Sequence, residues 1–459
     1  MSAFNFHPTR RAAIRSIVGG SLTLPAILGE LMAEESKHPL APRVPHFPAA
    51  AKRVIFLFST GGVSHMDTFD PKPALIDADE KSFGIGGGLS NQQKLLLKPR
   101  WAFKPGGKCG TPVSDLFPHL RERMDDVCLI NSMKSDENEH YQATLAMHCG
   151  SFFFTRPSMG SWVSYGLGTV NRNLPSFIVI APQMPYAGTQ VFGNDFLPAY
   201  HQGTRVVPGK EPVPNLAMRS KGALQQLELG LSEELNREHL KANEYSGDLA
   251  ARIQSFETAF RMQTEAPEAF DLSKETKETL DLYGLKEGQT EGFGWQCLVA
   301  RRLAERGVRF IELIDTGASN NWDSHADMKQ HEDLAKKIDR PIAGLLADLK
   351  RTGLLDDTLV VWTTEFGRTP GQDGKYGRGH HSACFSSWLA GGGVKGGIRY
   401  GETDDIAATV AKDRVHVHDF HATILHLLGI DHEKLTYRHG GRDYRLTDVH
   451  GTVVKKILA

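Results

Sequence analysis

Surplus positive charge is the first thing this sequence lacks. Its 53 Lys and Arg against 54 Asp and Glu leave a formal net charge of −1. No basic excess is available to neutralise phosphates, so no nucleic-acid partner is indicated. Cysteine is sparse. The five (Cys109, Cys128, Cys149, Cys297, Cys384) are scattered with no CxxC, which gives neither a zinc knuckle nor a disulfide-stapled framework. An odd number also leaves at least one thiol without an intramolecular partner. Long apolar runs are missing too: the stretch from Ile17 to Leu28 is short and broken by Gly19, Gly20 and Pro25, too short to span a bilayer comfortably. The glycine-rich stretch Phe83 to Ser90 (FGIGGGLS) has no following Lys-Ser/Thr, so it reads as a mobile surface loop and not as a phosphate loop.

What is present is a chain of 459 residues, 40% hydrophobic, long enough for one large α/β domain with insertions or for two ordinary domains. Arg10 and Arg11 stand ahead of the weakly apolar run, a pattern that resembles a twin-arginine export signal. Residues 1–33 are read as that signal, with the twin-arginine export machinery as partner and the periplasm, or another exported location, as destination. Residues 34–51, rich in Pro, are read as a linker. The remaining 52–459 form the main domain. Within it, about 215–291 shows apolar residues at helical spacing among many charges, the pattern of a helical insertion with a solvated face.

Lys52 to Ser59 (KRVIFLFS) is a short continuous apolar run, as expected of a fully buried parallel strand. It ends in a turn where Gly61 and Gly62 precede His65 and Asp67. Val308 to Leu313 is a second such run, leading into Asp323, His325, Asp327 and His331. A third, Thr358 to Thr364, delivers Glu365, and His380 and His381 follow a Gly-rich loop. Carboxylates and imidazoles just past the carboxyl ends of buried strands are what a metal site in an open α/β sheet requires. Asp323 and His325, two apart in an extended segment, share a face. Asp327 and His331, four apart, would share one on a helix and form a rival pair. His416, His418, His421 and His426 cluster near a C-terminal helix and read as structural histidines.

WDSH (Trp322–His325), TEFGRTP (Thr364–Pro370) and GRGHH (Gly377–His381) resemble the family called domain of unknown function 1501, which is similar to the alkaline phosphatase and sulfatase superfamily. The likeness covers nearly all of the chain beyond the signal. It implies a three-layer α/β/α sandwich with a mostly parallel sheet, alkaline phosphatase-like, and a metal-dependent hydrolase of phosphate or sulfate esters. The cofactor is then a divalent metal ion (Zn, Ca, Mg or Mn) and the substrate a small-molecule or glycan ester. The expected ligands are Asp323, His325, Glu365 and His380, with Asp67 and His65 next. Where the superfamily places its nucleophile, at the start of a helix, this chain has Asn138 and His140. It contains no sulfatase-type Cys-x-Pro-Ser-Arg. A metal-activated water is therefore the expected nucleophile, with His140 or Asn138 contacting the substrate. Arg368 would clamp the anionic group or pair with a neighbouring carboxylate. One departure is Gly379, where the family usually has Asp. Two other readings remain open: a non-catalytic exported binding protein, and a phosphomutase.

Overall fold

The computed structural model describes residues 39–79, 81–84, 93–214, 216, 223–243 and 247–459. The expected signal segment and most of the glycine-rich stretch lie outside them. Among the described residues no helix is long and apolar enough to cross a membrane. The proline-rich stretch is laid against the body: the N–H groups of Ala50 and Ala51 donate to the Leu427 carbonyl at 2.9 and 2.8 Å.

The main sheet is built from β1 (Arg53–Phe58), β2 (Val127–Lys134), β3 (Phe177–Ile180), β4 (Thr204–Val206), β5 (Phe310–Ile314) and β6 (Thr358–Thr363). After the hairpin strands β7 (Gly367–Asp373) and β8 (Gly377–His381), the sheet continues with β9 (Phe385–Ala390), β10 (Ile398–Tyr400) and β11 (Val415–His416). The strand order is β10-β2-β9-β6-β1-β5-β3-β4, with β11 also on β2. Strand β9 runs antiparallel to β6 and β2, and the other pairs in this sheet are parallel. β1 is central because every residue after Arg53 is buried. Such a strand needs cover on both faces, and its unbroken apolar run supplies it.

Helices form the outer layers: α1 (His140–Cys149), α2 (Met159–Leu167), α3 (Ala223–Ala242), α4 (Gly247–Phe270), α5 (Lys277–Leu282), α6 (Phe293–Glu305), α7 (Gln330–Arg351) and α8 (Val417–Leu427). Alternate residues of β1 face opposite layers, as the period of two in a strand dictates. Ile55 and Leu57 pack in one core with Leu298 and Leu303 of α6 and Ile338 and Leu346 of α7. Val54, Phe56 and Phe58 pack in another with Trp162 of α2 and Phe420 and Ile424 of α8. The result is a three-layer α/β/α sandwich.

Helices α3, α4 and α5 occupy the stretch expected to be inserted. The end of α4 is not apart from the main body, since Met262, Ala266, Ala269 and Phe270 belong to the α6–α7 core. All parallel strands present their carboxyl ends on one side of the sheet, and the turns after β1, β5 and β6 meet there.

Candidate metal centre

Gly61 follows β1 and takes a φ of +112°, and a Cβ there would lie 2.7 Å from the backbone nitrogens of Trp322 and Asp323. Only glycine permits this approach, and it brings the turn after β5 against the turn after β1. Glu365, just past β6, closes the third side. Its fully buried carboxylate accepts from the Gly61 N–H at 2.8 and 3.1 Å and from Thr364 Oγ1 at 3.1 Å.

From that base the side chains converge on Asp323. Oδ1 of Asp323 lies 2.9 Å from His325 Nε2, 3.2 Å from His380 Nε2 and 2.7 Å from an Arg368 guanidinium nitrogen. Oδ2 lies 3.2 Å from His140 Nε2. Each imidazole is held from behind through Nδ1: His140 by Glu365 Oε1, His325 by Asp373 Oδ2 and His380 by the Asn138 carbonyl, all at 2.7 Å. A carbonyl or an ionised carboxylate can only accept, so each Nδ1 carries a proton and each Nε2 can turn a lone pair inward. This is how outer acceptors orient ligating histidines.

Two features invite a cation. The Nε2 atoms of His325 and His380 stand 2.9 Å apart, a contact that a shared proton or a metal ion can bridge. The buried His140 Nε2 makes no hydrogen bond, despite its 3.2 Å approach to Asp323. Electrostatics carry the same message. Burial works against a charged His140, but the Asp323 and Glu365 carboxylates win and raise its pKa to about 9. Burial likewise pushes the Asp323 carboxyl up, yet His140, His380 and Arg368 together hold it far below the usual carboxylate range. The raised His140 value reflects two carboxylates that favour positive charge beside them, and the lowered Asp323 value a carboxylate that stays ionised. The donor atoms of His140, Asp323 and His380 all lie within 4.8 Å of one another, and the set fits a divalent ion.

Several expected residues have other places. Glu365 stands behind His140 with both oxygens engaged in hydrogen bonds, outside the converging donor set of His140, Asp323 and His380. Asp67 and His65, expected next among the ligands, lie in His65–Thr68, a helical turn that is buried throughout. Asp67 is fully buried and pairs with Arg378 Nε at 2.8 Å, also accepting from Ser64 Oγ at 2.6 Å. His65 contacts the Ala407 carbonyl and Cys384, and burial lowers its pKa to about 3.

Arg368 is equally committed. It is fully buried, and it donates to the carbonyls of Gly61, Gly62 and Arg378 as well as to Asp323. It fixes the floor of the site and does not reach outward as an anion clamp. Asn138 is a strut: its carbonyl holds His380 and its Oδ1 accepts from the Ser382 N–H at 2.7 Å. The rival pair separates, with Asp327 on Arg100 and His331 between the Ser64 N–H and Ser324 Oγ. Helix α1 does begin at the centre, since His140 is its first residue.

Sequence reasoning missed Asp373 and Tyr186. Asp373 was hidden in a stretch read as a Gly-rich loop, which is in fact the β7–β8 hairpin pairing Arg368 opposite His380; its Asp-Gly tip was the available signal. Tyr186 stacks on His140, with ring centroids 4.3 Å apart and planes 9° from parallel. No local pattern announces that contact.

Similar solved structures include the lipoteichoic acid synthase LtaP from Listeria monocytogenes, at 10% identity and a TM-score of 0.38, over 89% of this chain and 78% of that one. The PsFucS1 sulfatase from Pseudoalteromonas sp. aligns at 13% identity and 0.35, over 88% and 71%. The alkaline phosphatase from the Antarctic bacterium TAB5 aligns at 12% and 0.30, over 83% and 98%. No curated relative matches the sequence. Residues 51–458 match the family described as Protein of unknown function (DUF1501), and the chain belongs to that family.

Proposed function

We propose that this protein is an exported, metal-dependent hydrolase of phosphate or sulfate esters. The observation that carries the reading is the inward set of His140, His325 and His380 Nε2 atoms around Asp323, with the buried His140 nitrogen left without a hydrogen bond. A divalent cation held by these residues supplies Lewis-acid polarisation of an ester oxygen. Three imidazoles and one carboxylate suit zinc better than calcium or magnesium, which prefer oxygen donors.

The chain's own groups do the rest. Glu365, Asp373 and the Asn138 carbonyl fix the three rings. Arg368 offsets the charge of Asp323 and keeps it in one rotamer. The N-terminal turn of α1, starting at His140, presents backbone N–H groups and the positive end of its dipole, which favours an anionic group at that position.

Metal analysis of the purified protein, together with turnover of aryl phosphate and aryl sulfate, tests the reading. A divalent ion near one per chain and hydrolysis of one ester are expected. A fully metallated sample that leaves both esters intact would favour a binding protein that keeps the fold. Export rests on Arg10 and Arg11. Replacing both with Lys removes the planar guanidinium geometry and should hold the protein in the cytoplasm; periplasmic accumulation equal to wild type would refute that part.

A further inference from the structure

Tyr186 sits in the connection between β3 and β4, and nothing so far gives it a task. Its ring lies flat on His140. Its phenol oxygen accepts a hydrogen bond from Asn321 Nδ2 at 3.2 Å. Asn321 has no freedom to do otherwise: the same Nδ2 donates to the Gly317 carbonyl at 3.0 Å, and its Oδ1 accepts from the Asp323 N–H at 3.1 Å. An amide nitrogen only donates. The phenol's own proton is therefore not used by Asn321, and Tyr186 is only part-buried. A phenol, with an ordinary pKa of about 10, is a neutral O–H donor at neutral pH.

The centre needs such a group. An anionic ester bound at the cation has non-bridging oxygens that require donors, and Arg368, the obvious candidate from the sequence, spends its donors on backbone carbonyls and Asp323. We propose that the Tyr186 hydroxyl donates a hydrogen bond to a non-bridging oxygen of the phosphate or sulfate group bound at this centre. The assignment rests on the hydrolase reading above and adds a substrate contact to it. Asn321 is then a positioning residue, aiming the hydroxyl by donating to its oxygen. The stack on His140 makes the aim rigid, because neither ring can tilt without the other.

Tyr186→Phe keeps the ring and removes the hydroxyl, so it separates donation from stacking. In metal-loaded protein it should lower kcat/KM for the hydrolysed aryl ester by about 10²- to 10³-fold, the usual effect of deleting one preorganised donor. Its metal content should equal that of wild type. Calorimetric titration with inorganic phosphate and inorganic sulfate gives a readout independent of turnover, and Tyr186→Phe should weaken the tighter-binding anion about tenfold. If wild type turns over no ester, the hydrolase reading fails while the anion titration still judges Tyr186. Metal-loaded wild type that binds both anions no better than Tyr186→Phe overturns the assignment. So does a Tyr186→Phe protein that loses its metal, which would make the residue structural.

Discussion

Glu365 holds His140 with one 2.7 Å bond while its other contacts, Gly61 N–H and Thr364 Oγ1, are donors as well. A carboxylate can accept from all three; an amide in its place would turn an N–H₂ toward another donor. Glu365→Gln should therefore weaken metal affinity by about 10- to 100-fold, the usual effect of disturbing an outer partner, while the cooperative unfolding transition persists. Competition titration with a chromophoric chelator measures this, and an unchanged affinity would remove Glu365 from its supporting role. The positions of Asp323, His325 and His380 were legible because residues just past buried strands end up in one crevice. The role of Glu365 was not, and for Arg368 the pairing with a neighbouring carboxylate was only one of two readings, the one the structure has. Each is decided by backbone groups of Gly61 and Gly62, some three hundred residues earlier in the chain, and no local pattern records that. His65 and Asp67 were expected in the turn after β1, but that turn coils into a short buried helix whose partners, Arg378 and Cys384, come from far along the chain.

Helix α1 is anchored at both ends. His140 opens it, and His148, in its last turn, is buried against Glu312 of β5 at 2.8 Å, with its Nδ1–H donated to the Thr144 carbonyl at 2.7 Å. Glu312→Ala leaves that imidazole without its partner in the apolar layer and should cost about 3 to 5 kcal/mol, as for other broken buried pairs. Glu312→Gln keeps a hydrogen-bonding group of the same size beside the ring and should cost far less. Urea denaturation of the two variants checks the contrast, and equal losses would show that the carboxylate itself, and not a retained hydrogen bond or side-chain volume, is what matters there. Elements were the most readable level. Continuous apolar runs located β1, β5 and β6, and helical spacing located α3 and α4. Spacing could not say which side of α3 packs: Leu229 and Leu240 are part-buried, whereas Leu224, Leu227, Leu231 and Leu235 on the other side are exposed. The reversal of β9 was equally invisible, since composition does not encode strand direction.

For the molecule as a whole, acid should be the damaging condition. His65, His201, His331 and His421 are each lowered from 6.5 to about 3, with burial the leading cause. Below pH 6.5 the unfolded chain takes up protons that the folded one cannot. The stability these groups contribute is intact above that pH and lost as pH falls toward 3, at up to about 1.4 kcal/mol per pH unit for each group. Asp315, raised by burial to about 6, acts in the opposite sense between pH 6 and 3.8 and offsets one of the four. Urea midpoints should thus drop steeply from pH 7 to 4.5; a flat profile would mean these imidazoles are not buried neutral. The central strand has one more consequence. Arg53 of β1 pairs with Thr358 of β6, and Val54 with Phe310 of β5, so the earliest strand of the sheet has no neighbour until most of the polypeptide has been synthesised. The first core segment must wait on the ribosome as an unsatisfied, strongly apolar strand, the kind of species that aggregates. Folding is then a late event in the life of the nascent chain, slow because its contacts are so distant in sequence, and yield in the cell should depend on chaperone supply more than on the stability of the finished protein.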